Sequence, residues 1–331
     1  MNHTMLKIRT RLAGTAVLTL ALASTAWAHN PWPPTDQPVQ IVVTAPPGSV
    51  DDTIARLVAE QLGSRLGSRF MVSNQPGANG NAGASTVATS PADGSKLLFS
   101  STGTLAINPS VFKELPFDPQ KSFQAIGLIA DIPNILVVNN ALPANNLAQF
   151  NDYVKTHPGV INFGSTGNGS SMHLAGQLYM DDIGANMVHV PYSSAELATN
   201  DLVSGQIQSM FQLVPGALEQ IRAGKVKALG IMAPERSDVL PQVPTMSEQG
   251  HPRLLSSNWL ALLAPTGTPP DVIEHVNAAL NSALDDPTVR QKLTDMGAVV
   301  LGGTPQDLDN MLASSLKKWH SVVSSADIRP H

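Results

Sequence analysis

Cysteine is absent from the 331-residue sequence, and charged side chains make up only 14% of it. The lack of cysteine excludes disulfides, thiolate metal sites and cysteine nucleophiles. Positive charge is also scarce, because 20 Lys and Arg residues stand against 25 Asp and Glu residues. Nucleic acids and acidic membrane surfaces attract basic proteins, so neither is expected as a partner of this chain.

Long hydrophobic runs are missing as well. The apolar segment at residues 15–25 is too short to span a bilayer. It follows Lys7, Arg9 and Arg11 and precedes Ala26-Trp27-Ala28, which is the layout of a secretory signal. We therefore predict a signal peptide over residues 1–28, cleaved after Ala28, and a periplasmic location, since exported proteins without disulfides are typical of that compartment. Its removal leaves 17 basic against 25 acidic side chains, a net charge of −8.

Three apolar strands each break into a small polar turn that opens a helix. The strands and the turns after them are Val39–Ala45 with PPGS, Ile161–Phe163 with GSTGNGSS, and Met187–Tyr192 with Ser193-Ser194. Glycine allows close approach of the backbone, and the first amides of a helix carry partial positive charge. The turns therefore favour a carboxylate or phosphate ligand. The alternative is that each is an ordinary turn of an α/β fold.

The first of these helices begins with capping-box spacing, Ser49-Val50-Asp51-Asp52. Asp52 is accordingly interpreted as a helix cap and not as a catalytic acid. The glycine-rich loop Asn74–Ser85 resembles no phosphate-loop or dinucleotide fingerprint, since no GK[ST] follows it. A nucleotide cofactor is not expected.

Alternating strands and helices predict an α/β fold, and the mature length is sufficient for two lobes. The apolar segments Ala125–Asn139 and Trp259–Ala264 would suit strands that cross between the lobes. Three helices after residue 268 return the chain to the first lobe and pack against it.

Catalytic and metal-binding patterns are weak. His173 and His189 have no second His, Asp or Glu at the spacing of a helical metal site, and the other histidines lie in the signal, at the mature termini or, as His157, His251, His275 and His320, alone on polar faces or loops. The motif G-x-S-x-G does not occur. Ser170 or Ser171 with His173 could imitate a nucleophile and base, but no orienting carboxylate is evident. We predict a binding protein without metal or cofactor; a periplasmic esterase or lyase is the catalytic alternative.

Several motifs together resemble one protein family over essentially the whole mature sequence. They are PPG at 46–48 with Asp52 and Ala55-Arg56, PGANGN at 76–81, INP at 107–109, PNILVV at 133–138, FGSTGNGSSMHLAG at 163–176, VHVPY at 188–192, APTGTP at 264–269 and GGTP at 302–305. The family is that of the periplasmic solute-binding proteins of tripartite tricarboxylate transporters, which includes the Bug proteins.

The resemblance implies the type II fold of periplasmic binding proteins, in which two α/β lobes joined by two crossing segments close on a ligand in the cleft. It implies a first lobe from 38–132 and 258–331 and a second lobe from 133–257. It also implies a ligand carboxylate held by backbone amides and neighbouring side chains, at Ala45, Pro47, Gly48, Ser49, Asn79, Ser101, Thr102, Gly103, Ser165, Thr166, Asn168, Ser170, Tyr192, Ser193, Ser194 and Gln212.

Four positions depart from the family pattern. Ala45 replaces an aromatic residue, Ser49 a glycine, Ser193-Ser194 a Lys-Gly pair, and Gln212 an aspartate. Losing an aromatic wall and an acidic group leaves more room and less repulsion for a second carboxylate. This favours a di- or tricarboxylate or an aromatic carboxylate over an amino acid.

The function implied is capture of a small carboxylate by a monomer that delivers it to the permease subunits of the transporter in the membrane. The alternative is a periplasmic sensor that binds the same solute and docks on a two-component signalling partner. The cleft would look alike in both cases, so the sequence leaves this choice open.

Overall fold

The computed structural model describes residues 32–33 and 37–326, so the predicted signal peptide lies outside the described residues. Within them the strands join into one sheet in the order β2-β1-β3-β9-β4-β7-β5-β6, and β8 and β10 also pair with β4. The strands are β1 (Val39–Val43), β2 (Phe70–Asn74), β3 (Lys96–Ser101), β4 (Phe123–Asn139), β5 (Asn162–Ser165), β6 (Val188–Pro191), β7 (Ser209–Leu213), β8 (Val226–Ile231), β9 (Ser257–Pro265) and β10 (Val299–Val300).

Helices connect the strands and cover the sheet. They are α1 (Val50–Leu66), α2 (Asn81–Ala88), α3 (Asn108–Val111), α4 (Leu147–Thr156), α5 (Ser171–Ile183), α6 (Ala195–Ser204), α7 (Val214–Arg222), α8 (Pro270–Leu284), α9 (Pro287–Asp295) and α10 (Pro305–Ser325). A π-helical turn at Gly103–Ile107 leads into α3. No helix within residues 37–326 is both long and apolar enough to cross a bilayer.

The sheet has two halves, which share the long strand β4. In the first half, β1 pairs in parallel with β2 and β3, and β9 joins β3 to the N-terminal part of β4 in antiparallel pairing. In the second half, β7 and β8 pair with the C-terminal part of β4, and β5 pairs in parallel with β6 and β7. The crossing predicted at Ala125–Asn139 is therefore a single continuous strand, and the crossing predicted at Trp259–Ala264 is β9.

The parallel strands of the two halves run in opposite directions, so their C-terminal ends face each other. Because β9 is antiparallel to both β3 and β4, β3 and β4 run in the same direction, whereas β5 runs parallel to β7 and against β4. Through the paired strands, Ser101 at the end of β3 lies level with Ala130 of β4, and Gly164, next to the end of β5, lies level with Val137. Seven residues of strand separate these levels, roughly 20 Å. The turns that follow the two strands face this gap.

Each half has an apolar core on both faces of its sheet. In the first half, Ile54 and Leu62 of α1 and Leu280 of α8 cover one face, and Trp319 of α10 is buried on the other. In the second half, aromatic residues of β5, β7, α4 and α5 fill one face, and α6 and α7 cover the other. The spacing of apolar residues along these helices, one stripe per helix, accounts for this packing.

Candidate functional site

The turn after β1 is held by the helix that it opens. Gly48 has a φ of 79°, and its amide donates to Asp52 Oδ2 at 2.8 Å, while the Asp52 amide donates to Ser49 Oγ at 3.2 Å. Asp52 thus caps α1, as the sequence spacing indicates. In a capping box, the Asp52 carboxylate would accept from the amide of the Ser49 cap. Here it accepts from the amide of Gly48, one residue earlier.

Asp52 also ties this turn to its neighbours. Asn74 Nδ2 donates to Asp52 Oδ1 at 2.8 Å and to the Ala45 carbonyl at 3.1 Å, and Arg56 lies 3.0 Å from the same carboxylate. Burial alone would raise the pKa of Asp52, but the hydrogen bonds from Arg56, Gly48 and Asn74 together hold it below its ordinary value. Asp52 is a structural carboxylate of the turn.

Replacing Asp52 with asparagine is expected to lower the free energy of unfolding by about 2 kcal/mol, because one of the buried donors loses its acceptor. Urea denaturation at pH 7 measures this loss. Glu60→Gln, on the exposed side of the same helix, is the control and should change the stability by less than about 0.5 kcal/mol. Equal losses in the two variants would contradict the structural role of Asp52.

Hydrogen bonds within the turn after β1 occupy the amides that were expected to bind the ligand. Pro47 has no N–H group, the Gly48 amide donates to Asp52, and the Ser49 amide donates to the Pro46 carbonyl at 3.3 Å. Within the described residues, Val50 has the first amide of the turn that donates to no protein acceptor. The contacts predicted for Pro47, Gly48 and Ser49 remain predictions, and Val50 joins them as the available donor.

The loop of Asn79 is seated against the end of β3. The Asn79 carbonyl accepts from Thr104 Oγ1 at 3.1 Å and from Asn108 Nδ2 at 3.0 Å, and the Asn79 side chain is exposed. Ser101 and Thr102 are buried, and Thr102 Oγ1 accepts from the Trp259 amide at 2.9 Å. Gly103 is half-buried at the start of the π-helical turn. These turns of the first half therefore lie together.

Asp51 is a carboxylate at this site that sequence reasoning did not identify. Its side chain accepts from Asn258 Nδ2 at 3.4 Å and is hydrogen-bonded to Ser101. Burial raises the pKa of Asp51 to about 6, and the hydrogen bonds from Asn258 and Ser101 oppose that rise in part. The residue as a whole is half-buried. It links α1, the end of β3 and the crossing strand β9.

In the second half, the ligand-contact residues predicted in the GSTGNGSS turn differ in their exposure to solvent. Thr166 and Asn168 are exposed, and Ser170 caps α5 by accepting from the His173 amide at 3.2 Å. Ser165 is fully buried, and its hydroxyl lies 2.6 Å from His189 Nε2. Ser165 therefore supports the turn from within.

Two stacked histidine rings pack beside this turn. The rings of His173 and His189 stack with centroids 3.8 Å apart, and the Gly169 amide donates to His173 Nδ1 at 3.1 Å. Burial lowers the pKa of each ring to about 4, and the neighbouring ring contributes further to the shift of His173. Both rings are thus neutral at pH 7. Their spacing of sixteen residues gave no sequence signal for the pair.

The turn after β6 joins the turn after β5. The Tyr192 amide donates to the Ser165 carbonyl at 2.9 Å, and the Tyr192 hydroxyl donates to Asp201 at 2.7 Å. Ser193 is exposed, and Ser194 caps α6 by accepting from the Leu197 amide. Within the described chain, the amides of residues 195 and 196 have no protein acceptor. They are available for a ligand at the start of α6.

Gln212, near the end of β7, is hydrogen-bonded to α6. Its side chain is buried, and its Nε2 donates to Thr199 Oγ1 at 3.1 Å, with Gly216 packed closely against it. The structure therefore brings the first-half residues together and the residues at 165–170 and 192–194 together, while the Gln212 side chain is buried against α6. Its contact with a ligand remains a prediction.

The catalytic alternative lacks an assembled site. Ser170 bonds to the backbone of His173 and not to its ring, and Ser165, which does contact a histidine, is inaccessible. His251, which the sequence suggested to be isolated, instead pairs with Asp182 at 2.5 Å and with Asn151. Across the described residues no group of three His, Cys, Asp or Glu side chains could hold a metal ion.

Comparison with known proteins identifies the fold. Residues 54–328 match the model of the tripartite tricarboxylate transporter family receptor. The periplasmic binding protein BugD has 30% identity and a TM-score of 0.78, with 90% of this chain and all of that chain covered. Two Rhodopseudomonas palustris structures are also similar. Rpa4515 with adipate has 30% identity and a TM-score of 0.82, covering 91% of this chain and 100% of its own. MatC with bound malate has 33% identity and a TM-score of 0.76, covering 86% and 98%.

These similarities confirm the resemblance stated from the sequence and the fold of two α/β lobes joined by crossing strands. The two sheet halves are the two lobes, and the gap between their strand ends is the cleft. They also confirm a binding protein in preference to an enzyme. The chain belongs to the tripartite tricarboxylate transporter receptor family of periplasmic solute-binding proteins.

Proposed function

We propose that this protein captures a small carboxylate in the cleft between its lobes, closes on it, and delivers it to the permease subunits of a tripartite tricarboxylate transporter. The observation that carries the proposal is the opposition of strand ends across the crossing strands. Helices α1, α5 and α6 begin at these ends, and their first amides have partial positive charge. The adipate and malate bound by two similar structures support a carboxylate as the ligand.

The ligand is a di- or tricarboxylate or an aromatic carboxylate. It lies between Ala45, Pro47, Gly48, Ser49, Asn79 and the Ser101–Gly103 turn on one side, and residues 165–170 and 192–194 on the other. The first lobe consists of 38–132 and 258–331, and the second of 133–257. Backbone amides recognise a carboxylate without a compensating positive side chain, which suits a mature chain of net negative charge.

The protein acts as a monomer in the periplasm, after cleavage behind Ala28. Closure brings the two sets of turns together, because thin crossing strands permit the lobes to hinge. Solution scattering should show a smaller radius of gyration with ligand than without it. An unchanged radius at saturating ligand would contradict closure and leave binding intact.

A thermal-shift screen over adipate, malate, citrate, benzoate and glutamate tests the ligand class. A ligand that reaches 100 times its dissociation constant is expected to stabilise the protein by about 2.7 kcal/mol, since it binds only the folded state. We expect this shift with at least one dicarboxylate or aromatic carboxylate. The absence of binding for every carboxylate tried would contradict the proposal.

The position of the site is tested by adding a charge at its edge. Ser193→Asp places a carboxylate at the exposed start of α6, where it competes with the ligand for the same amides. We expect affinity to fall at least tenfold while the folded state persists. Ser64→Asp adds the same charge on an exposed face of α1, away from the cleft, and should leave affinity unchanged. Equal affinities for the two variants would place the ligand elsewhere.

Delivery to a permease is tested by uptake in cells. Uptake of the labelled ligand should stop when the gene for this protein is deleted, and return when the unaltered gene is restored. Unimpaired uptake in the deletion strain would contradict the transport role.

A further inference from the structure

Asp51 lies where the first lobe meets the floor of the cleft. Ser101 ends β3, and Asn258 pairs with Ile132 on the crossing strand β4. Asp51 is hydrogen-bonded to both Ser101 and Asn258, so its carboxyl group spans the gap between the α1 turn and the crossing strands. Since it is partly exposed, a ligand held at the start of α1 would lie against it.

No positive side chain compensates Asp51. Within the described residues it forms no ion pair, because Arg56, the basic residue nearest along α1, is turned toward Asp52. None of the ligand-contact residues that the sequence predicts is basic. An ionised Asp51 would therefore repel a ligand carboxylate at short range, while the amides attract it. A neutral Asp51 would instead offer one hydroxyl donor to that carboxylate.

We infer that Asp51 is a specificity-determining residue which, as a neutral carboxylic acid, donates a hydrogen bond to a carboxylate group of the ligand, so that capture takes up one proton. The inference rests on the proposed function. The proton comes from water and stays on the shared hydrogen bond between the two carboxyl groups until release. The ligand class is then an anionic carboxylate without a cationic group at this end.

The surroundings of Asp51 favour titration of its carboxyl group near pH 6. Burial raises its pKa to this value. From α1, Asp52 has a lowered pKa and stays ionised. From β3 and β9 the facing side chains, Ser101 and Asn258, are neutral. Across the cleft, His173 and His189 have pKa values near 4 and remain uncharged.

The remaining charged groups near this region lie on other surfaces. Asp131 pairs with Trp259, the residue after Asn258, so strand alternation places Asp131 on the opposite face of the crossing strands. There it shares a cavity with Lys318 and Trp319. On the outer side of α1, a groove beside Arg56 is lined by Glu60, Lys292 and Asp295. These groups do not join Asp51 in the cleft.

The test is isothermal titration of adipate, malate and benzoate at pH 6, 7 and 8, for the unaltered protein, Asp51→Asn and Asp131→Asn. For the unaltered protein the dissociation constant should rise with pH, by up to about tenfold per unit, because one proton is taken up on binding. Asp51→Asn keeps a donor and loses the titration. It should bind with nearly constant affinity across the range, and more tightly than the unaltered protein at pH 8.

Asp131→Asn is the matched control, because it removes a carboxyl from the opposite face of the same strands and should retain the pH dependence. A pH dependence that survives in Asp51→Asn, or an affinity of the unaltered protein that is constant with pH, would overturn the inference and leave carboxylate binding intact. Loss of binding of all three probes by folded Asp51→Asn at every pH would overturn it too, because the asparagine amide keeps the hydrogen-bond donor on which the inference depends. If none of the three probes binds the unaltered protein at any pH, the result contradicts the proposed function, on which the inference rests.

Discussion

Replacing Gly80 with alanine is expected to lower the free energy of unfolding by about 3 kcal/mol. Two costs add. Gly80 has a φ of 88°, and a left-handed conformation costs an L-residue about 1 kcal/mol or more. A Cβ at this position would also fall on Thr104 Oγ1, 2.8 Å from Thr44 Cβ and 2.9 Å from the Thr44 carbonyl oxygen, and such overpacking costs about 1–3 kcal/mol. The backbone atom of Thr44 cannot rotate away.

The control for Gly80→Ala is Gly67→Ala. Gly67 ends α1 with a φ of 63°, and a Cβ there would meet nothing within 4 Å. Its replacement isolates the conformational cost and should lower stability by about 1 kcal/mol. Chemical denaturation of both variants measures the difference. Equal losses would mean that Thr44 and Thr104 do not confine Gly80.

The same substitution should affect ligand binding, because Gly80 follows Asn79 in the loop beside the cleft. Moving Gly80 away from Thr44 would displace the Asn79 carbonyl from Thr104 and Asn108. We therefore expect Gly80→Ala to weaken carboxylate binding at a temperature at which the variant is still folded. Gly67→Ala should bind as the unaltered protein does.

Acidification between pH 7 and pH 4 is expected to destabilise the protein through the stacked histidines, on the order of 3 kcal/mol for the buried His173 ring and less for His189, whose ring is nearer to solvent. Burial lowers the pKa of His173 and of His189 from 6.5 to about 4. In the unfolded chain both rings bind protons as the pH falls through 6.5, whereas the folded chain binds them only near pH 4. Protonation therefore favours the unfolded state in this window, and each pKa unit corresponds to about 1.4 kcal/mol.

Unfolding free energies at pH 7, 6, 5 and 4.5 measure this dependence. Carboxylates also lose stabilisation in acid, so the informative quantity is the difference between the unaltered protein and a variant. His189→Gln should remove the His189 share of the loss between pH 7 and 4.5, which is at most about half of the histidine contribution. His320→Gln, at an exposed position on α10, should leave the loss unchanged. Nuclear magnetic resonance titration should show the His173 and His189 rings protonating below pH 5; midpoints near 6.5 would contradict the prediction.

The turns of the site were accessible to sequence reasoning because their signals are local. An apolar strand and a serine cap follow one another within ten residues in all three turns, with a glycine of positive φ in the first two. Ser49, Ser170 and Ser194 all cap the helices that follow these turns. Crossing segments were found for the same reason, since a long apolar run without a turn predicts a buried strand.

Contacts between distant residues were not accessible. The pairing of Asp51 with Asn258 spans 207 positions, and nothing near either residue in the sequence indicates the other. Local spacing also could not show that the Gly48 amide donates to Asp52, or that Gln212 turns inward to Thr199. The stacking of His173 on His189 depends on β6 lying beside β5, which only the pairing of the sheet establishes.

The amino-acid sequence by itself determined the class of fold, the family and the places where strands end in amide-rich turns, because these depend on the order and spacing of neighbouring residues. The tertiary structure alone decided which of those amides donate to no protein acceptor and which carboxyl group is hydrogen-bonded to both Ser101 and Asn258. Hydrogen bonds and burial between elements far apart in the chain set both properties. The raised pKa of Asp51 is therefore a property of the folded molecule.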